Sequence, residues 1–249
     1  MRIRLDKLLV DRRFAPSRER AQSLILAGKV LVDEQKIEKA GQQVTSDATI
    51  RLLGGDLKYV SRGGLKLERA LEHWHIDVSG KTCLDVGAST GGFSDCLLQH
   101  GAVRVTAIDT GHGQMDFRLR QDPRIRLLEK TNARYLTEGA IGEKVDLIVV
   151  DVSFISATLV LPAVIGAAFP QSSDARGGRR IIVLVKPQFE AGKEFVGKGG
   201  IVRDETAQTA SIEKVRSKLV QLGCADMQAI ESPILGAEGN REFLLFGKF

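Results

Sequence analysis

Cysteine is scarce in this chain. Among 249 residues there are three, Cys83, Cys96 and Cys224, widely spaced and odd in number. They form no disulfide framework and no metal-ligand pattern, and no His/Cys spacing suggests a metal site. Reduced thiols in a cytoplasmic protein are the expectation. Long apolar runs are also missing. The longest, Leu159 to Phe169, is about half the ~20 residues that a membrane span needs, and Pro162 interrupts it. The first residues, Met1-Arg2-Ile3-Arg4-Leu5-Asp6, lack the apolar core of a signal peptide. These absences exclude an integral membrane protein and a secreted disulfide scaffold. A mix of 43% hydrophobic and 27% charged residues excludes disorder, collagen and coiled coil. The length suits one large domain, or a medium domain plus a small one.

What is present is a lopsided charge. Residues 1–60 carry a net charge of +4 and the remainder +1. Arg2, Arg4, Lys7, Arg12, Arg13, Arg18, Arg20 and Lys29 crowd into thirty residues. Most charge runs are solvated faces, but an excess this local points toward a polyanionic partner. In the same stretch Leu5, Leu8 and Leu9 have the spacing of a short helix. Phe14-Ala15-Pro16-Ser17 breaks it. Ser17 can cap a second helix that turns Ala21, Leu24 and Ile25 inward and ends at Gly28. Val30-Leu31-Val32 reads as a strand, Asp33 to Lys36 as a turn and Ile50-Arg51-Leu52 as another strand. This small α+β module resembles the S-four type of RNA-binding domain, carried by Arg4-Leu5-Asp6-Lys7-Leu8-Leu9, Ser17-Arg18-Glu19-Arg20-Ala21 and Ala27-Gly28-Lys29-Val30-Leu31-Val32. The resemblance implies a basic helical pair on structured RNA, with Arg4, Arg12, Arg18, Arg20 and Lys29 as the RNA-facing candidates.

Gly54-Gly55-Asp56 is a plausible boundary. The expected division is an RNA-binding domain over 1–55, a linker over 56–63 and a second domain over 64–249. A helix from about Gly64 to His73 places Leu67, Ala70 and Leu71 on one face, with Lys66 near its start. His73, Trp74 and His75 read as packing at the helix end. From Lys81 onward, short apolar strands alternate with helical segments. The strands are Thr82 to Gly87, Val103 to Asp109, Ile125 to Leu128, Val145 to Asp151, Arg180 to Lys186 and Glu242 to Phe249, with a helix over Thr206 to Leu222. This pattern predicts an α/β domain with a parallel, Rossmann-like sheet covered by helices on both faces. Ligands in such sheets bind beyond the carboxyl ends of the strands, where Gly87, Asp109, Asp151 and Lys186 fall.

The loop Asp85-Val86-Gly87-Ala88-Ser89-Thr90-Gly91-Gly92-Phe93 is neither a dinucleotide fingerprint nor a P-loop. Glycine there lets backbone approach a ligand closely. Asp109, about 20 residues on, can accept from ribose hydroxyls. The pattern resembles motif one of the S-adenosylmethionine methyltransferases. A closer resemblance covers essentially the whole chain. Ser61-Arg62-Gly63-Gly64-Leu65-Lys66-Leu67, Leu128 to Arg134, Val150-Asp151-Val152-Ser153-Phe154-Ile155, Val185 to Glu190 and Asn240-Arg241-Glu242-Phe243 are similar to the TlyA family, which joins an S-four-type domain to an FtsJ-like methyltransferase and whose members are also labelled haemolysins.

That resemblance implies S-adenosyl-L-methionine-dependent 2′-O-methylation of ribose, with cytidine in ribosomal RNA or a ribosomal subunit as partner. Motif by motif, its catalytic tetrad falls on Lys66, Asp151, Lys186 and Glu242. The expected cofactor residues are Asp85, Gly87, Ala88, Ser89, Thr90, Gly91, Gly92, Phe93, Asp109, Asn132 and Asp151. Lys186 is expected to stabilise the ribose alkoxide, Asp151 to orient Lys186, Lys66 to position the ribose or a flanking phosphate, and Glu242 to orient a lysine of the neighbouring strand. The glycine-rich segment Gly192 to Gly200 reads as a flexible loop or an RNA-ordered lid, and Ser172 to Gly178 as a surface connection. A membrane-active cytolysin and a non-catalytic RNA-binding assembly factor are the competing readings.

Overall fold

The computed structural model describes residues 2–12, 14–15, 17–53, 58–137, 139–169, 178–236 and 239–249. Arg13, Pro16, the expected boundary at Gly54-Gly55-Asp56 and residues 172–177 of the expected surface connection lie outside them. The chain divides into two compact units, Met1–Leu57 and Lys58–Phe249.

The first unit runs β1 (Arg2–Arg4), α1 (Leu5–Asp11), α2 (Arg18–Leu26), β2 (Val30–Val32), β3 (Gln35–Lys36), β4 (Gln43–Thr45) and β5 (Ile50–Leu52). Leu5, Leu8 and Leu9 of α1 pack with Ala21, Leu24 and Ile25 of α2 against Val30, Val32 and Ile50. Ser17 caps α2, its Oγ accepting from Arg20 N at 3.3 Å. The turn expected over Asp33 to Lys36 is tighter than that. Asp33 and Glu34 both take positive φ, 49° and 64°, and Gln35–Lys36 already pairs with β2. The antiparallel pair β1 and β4 has too few residues to show as a sequence period.

Asp6 is the polar hub of this unit. It is fully buried, and its carboxylate accepts from Arg4 Nε at 3.0 Å and Nη2 at 2.8 Å, from Gln22 Nε2 at 3.0 Å and from Arg18 Nη2 at 3.1 Å. The Arg4 guanidinium above all, helped by Gln22 and Arg18, holds Asp6 well below the ordinary carboxylate range despite its burial. A depressed folded pKa gives stability that is complete above the unfolded value, about 3.9, and is lost as pH falls through the folded one. The acid limb of thermal stability, measured below about pH 4, should therefore flatten in Asp6→Asn. An unchanged limb would assign the acid loss to other groups.

The second unit runs α3 (Gly63–His73), β6 (Thr82–Val86), α4 (Gly92–Gln99), β7 (Arg104–Ile108), α5 (Phe117–Arg120), β8 (Ile125–Leu128), β9 (Leu147–Val150), α6 (Ala157–Ala168), β10 (Arg180–Val185), α7 (Pro187–Glu190), α8 (Glu205–Gln221), β11 (Ala225–Glu231) and β12 (Phe243–Lys248). The seven-stranded sheet has the order β11-β12-β10-β9-β6-β7-β8. Strands β8, β7, β6, β9 and β10 are mutually parallel, while β12 runs antiparallel to both β10 and β11. The all-parallel expectation is corrected at this one strand. Alternate residues feed two cores. Cys83, Val105 and Val149 pack with α3 and α4, whereas Leu84, Ile148 and Val183 pack with α6 and α8.

Two elements escape the periodicity. Strand β11 sits at the sheet edge with no buried residue and a register shift, so it carries little apolar signal. Helix α6 contains Pro162, which lies within the helix and does not end it. Part of the segment expected as a linker, from Lys58 on, is built into this unit. Tyr59 is 2% exposed, and its hydroxyl donates to Glu68 at 2.9 Å. Trp74 stacks on Phe246 at 5.1 Å and donates to Gln228 at 3.0 Å, a packing role at the end of α3. The segment Gly192 to Gly200 holds one short 3-10 turn, Lys193–Phe195.

Candidate active site

The parallel strands deliver their carboxyl ends to one edge of the sheet, and the chemistry gathers there. Gly87 follows β6, Asp109 follows β7, Asp151 follows β9 and Lys186 follows β10. Because β12 is antiparallel, its first residue lies at the same edge. Val185 pairs with Phe243, so Lys186 and Glu242 are neighbours across the sheet. Lys66, in the first turn of α3, reaches this edge from the covering helix.

The four expected catalytic residues form two ion pairs. Lys186 Nζ lies 2.6 Å from Asp151 Oδ1 and donates to Ser153 Oγ at 2.7 Å. Lys66 Nζ lies 2.5 Å from Glu242 Oε2. Both lysines are nearly enclosed, with side chains 10% and 11% exposed, and Glu242 is 2% exposed. Here the expectation for Glu242 is corrected. Its carboxylate holds Lys66 of α3, not the lysine of the adjacent strand. Ser153 was missed by the sequence reading, although it lies inside the motif that supplied Asp151. With one ammonium N–H on Ser153 and an ion pair to Asp151, Lys186 retains donor capacity for a further oxygen.

Two cavities adjoin at this edge and share Gly87, Ser89 and Asp151. The first, about 250 Å³, is lined by Ser61, Arg62, Lys66, Ala88, Thr90, Gly92 and Phe93, with Ile234, Leu235 and Gly236 as its far wall. The second, about 410 Å³, is lined by Asp109, Gln114, Asn132, Phe154 and Ile155. Asp109 accepts from Ser89 N at 2.7 Å and from Gly111 N at 2.6 Å, which ties the glycine loop to the loop after β7. Asn132 accepts from Arg134 N at 3.0 Å. Gly87 has φ +87°, and a Cβ there would stand 2.4 Å from the Asp151 carbonyl oxygen. That close approach between loop and β9 requires glycine.

Two expected cofactor residues sit elsewhere. Gly91 lines neither cavity. It has φ +95° and would point a Cβ at Leu119 Cδ1, 2.4 Å away, so its glycine answers to packing beneath the loop. Asp85 is fully buried under the loop. One of its oxygens accepts from Ser94 Oγ at 2.6 Å and the other has no hydrogen-bond partner among the described residues. Burial pushes its pKa up to about 7, against the Ser94 hydrogen bond and with help from the charges of Asp151 and Asp109. Three carboxyl groups thus crowd one glycine loop, with an orphaned buried oxygen among them. That field suits a cationic ligand with a ribose diol, and S-adenosylmethionine, with its sulfonium and ammonium, is such a molecule. Among the described residues no group of His, Cys, Asp and Glu could hold a metal ion.

Phe154 is a further residue the sequence reading passed over. It is 93% exposed with φ +65°, and its ring lies 5.4 Å from that of Phe189. Few non-glycine residues take that conformation, and here it presents an aromatic ring to solvent. In the first unit, the RNA-facing candidates differ in what they already hold. Arg4 and Arg18 share Asp6. The Arg12 guanidinium donates to the carbonyls of Ala48, at 2.6 Å, and Ser46, which ties α1 to the loop before β5. Arg20 and Lys29 are half-buried and have no ion pair among the described residues.

Comparison with known proteins agrees with this geometry. The FtsJ-like methyltransferase model matches residues 59–249 and the S4 (S-four) domain model residues 3–50. The 16S/23S rRNA (cytidine-2′-O)-methyltransferase TlyA of Mycobacterium tuberculosis is 46% identical, over 98% of this chain and 89% of its own. Hemolysin A of Brachyspira hyodysenteriae is 39% identical, over 97% of this chain and 98% of its own. A solved structure from Streptococcus thermophilus that carries the hemolysin name superposes with a TM-score of 0.75 at 38% identity, over 99% of this chain and 88% of that one. Among the described residues no helix is long and apolar enough to cross a membrane. The chain belongs to the TlyA family: it is an FtsJ-like, S-adenosylmethionine-dependent methyltransferase preceded by an S4 domain.

Proposed function

We propose that this enzyme methylates the 2′-hydroxyl of cytidine ribose in ribosomal RNA, a reaction of the cytoplasm. The observation that carries the reading is Lys186, held against Asp151, which lines both cavities, and against Ser153, which lines the second. A ribose hydroxyl keeps its proton at neutral pH and is a poor nucleophile. An ammonium beside it lowers the energy of the alkoxide that develops as the hydroxyl gives up its proton to solvent water and its oxygen takes the methyl group. Bound S-adenosylmethionine supplies an electrophilic methyl group. Gly87, Ser89, Asp109 and Asn132 are the residues we assign to holding it, and Asp151 lies between that cavity and the lysine. In the first cavity Lys66 and Arg62 position the ribose and its phosphates, which are anionic and need cations around them. Phe154 offers its ring to a base that has left its stack.

The test is transfer of labelled methyl from S-adenosylmethionine to ribosomal RNA and to ribosomal subunits, followed by mass mapping of the digested nucleosides. The expected product is 2′-O-methylcytidine. Methyl on a base or on another nucleoside would overturn the assignment.

The S4 domain supplies the RNA affinity in this reading. Each phosphate neutralised by Lys or Arg releases counterions, so binding weakens with salt. Replacing Arg20 and Lys29 together by alanine should reduce the slope of log K against log salt by about 1.4 to 1.8, with cofactor affinity unchanged. An unaltered slope would show that these two side chains make no phosphate contact.

A further inference from the structure

The carboxylate of Glu190 takes no part in the chemistry described above, yet it is only 2% exposed and densely bonded. Its Oε1 accepts from Ala157 N at 2.6 Å and its Oε2 from Ser156 Oγ at 2.5 Å, both at the N-terminus of α6. Lys214 of α8 reaches in, with Nζ 3.3 Å from the carboxylate and 2.7 Å from the Glu190 carbonyl oxygen. Two active-site segments end at this point. One runs from Asp151 through Ser153 and Phe154 to Ser156, which caps α6. The other runs from Lys186 through Phe189 to Glu190 and contains α7. Each carries half of the Lys186–Asp151–Ser153 contact and one ring of the Phe154–Phe189 pair.

We infer that Glu190 is a positioning residue for methyl transfer: its buried carboxylate staples the Lys186 segment to the Asp151 segment and so sets where the Lys186 ammonium stands. The inference rests on the reading of Lys186 given above. The Asp151 segment is fixed at both ends, by β9 and by the core helix α6, whereas the Lys186 segment leaves β10 and runs on into the glycine-rich stretch Gly192 to Gly200, so the Glu190 carboxylate ties its far end to α6. A carboxylate also suits the site, since it answers two donors at a helix N-terminus, where negative charge is favoured. Misplacing a catalytic group by about 1 Å costs on the order of 100-fold in rate. Glu190 itself lines neither cavity, and the Asp151 segment that lines the second stays fixed between β9 and α6, so binding should hardly change.

The experiment compares full-length Glu190→Ala, Glu190→Gln, Lys214→Met and Lys186→Ala in methyl transfer from S-adenosylmethionine to ribosomal RNA. Glutamine keeps an acceptor for Ala157 N, and its amide can donate to a rotated Ser156 hydroxyl. Glu190→Ala should lose about 30-fold or more in kcat with KM for both substrates within about threefold, and Glu190→Gln should recover most of it. Lys214→Met should stay within about threefold in kcat, because the tie to α6 survives. Val164→Ala, a core variant of the same helix, serves as the stability control. If it lowers Tm as much as Glu190→Ala and loses as much kcat, the role is merely structural and the inference fails. It fails equally if Glu190→Ala turns over within threefold of wild type while Lys186→Ala is inactive. Should Lys186→Ala itself retain activity, the reading of the site falls and takes this inference with it.

Discussion

Lys186→Ala is expected to lower the single-turnover rate of methyl transfer by at least about 100-fold, roughly 2.7 kcal/mol of transition-state stabilisation. Affinity for S-adenosylmethionine and for RNA should stay near wild type, because the group acts on charge that appears only as the hydroxyl attacks. The side chain is 10% exposed, and its contacts with Asp151 and Ser153 leave it little freedom. The enclosed position raises the value of its charge above that of a solvated lysine. Lys186→Arg should rescue poorly. A planar guanidinium is wider than an ammonium and cannot point one donor where Nζ stands without leaving Ser153. The measurement is a rapid single-turnover assay with both ligand affinities determined separately. A Lys186→Ala enzyme within about tenfold of wild type, an effect of only ~1.4 kcal/mol, would remove the lysine from the assigned role.

Glu242→Ala is expected to act on stability as well as activity, and strongly. Read from the sequence, Glu242 is a charge at the start of a strand, and its loss looks mild. In the fold it is 2% exposed and its partner Lys66 is 11% exposed. Removing the carboxylate alone leaves a buried ammonium without compensation, which costs about 3–5 kcal/mol. For a chain of this size that corresponds to a fall in Tm of roughly 10 °C. The double variant Lys66→Met/Glu242→Leu should regain most of the loss, since a buried ion pair contributes little over a well-packed apolar pair. It should nonetheless remain inactive, because Lys66 lines the first cavity. Differential scanning calorimetry on the three proteins decides the matter. A Glu242→Ala protein that melts within about 2 °C of wild type would show that Lys66 finds water or another partner.

Much of this protein was legible before any coordinates. Periodicity placed the strand ends, because a parallel strand buried on both faces reads as a continuous apolar run ending in a polar residue, as in Leu147–Val150 before Asp151. The Ser17 cap was legible for the same local reason: it depends on one side chain and an amide three residues away. Strand β11 was not, since an edge strand carries mixed exposure, and neither was α6, where Pro162 lies inside the helix.

What the amino-acid sequence determined by itself was the inventory of chemistry: a basic module, a glycine loop, and the order of Lys66, Asp151, Lys186 and Glu242 along the chain. Who pairs with whom was decided only by the tertiary structure. Glu242 meets Lys66, 176 residues away in sequence, because the antiparallel β12 brings its first residue to the strand-end edge and α3 lies across it. Gly91 serves the packing against Leu119, and Asp85, a residue of β6, lies beneath the loop without reaching the cavity. Pairings between distant residues depend on strand direction and register. Those are properties of the whole sheet, and no local run of residues encodes them.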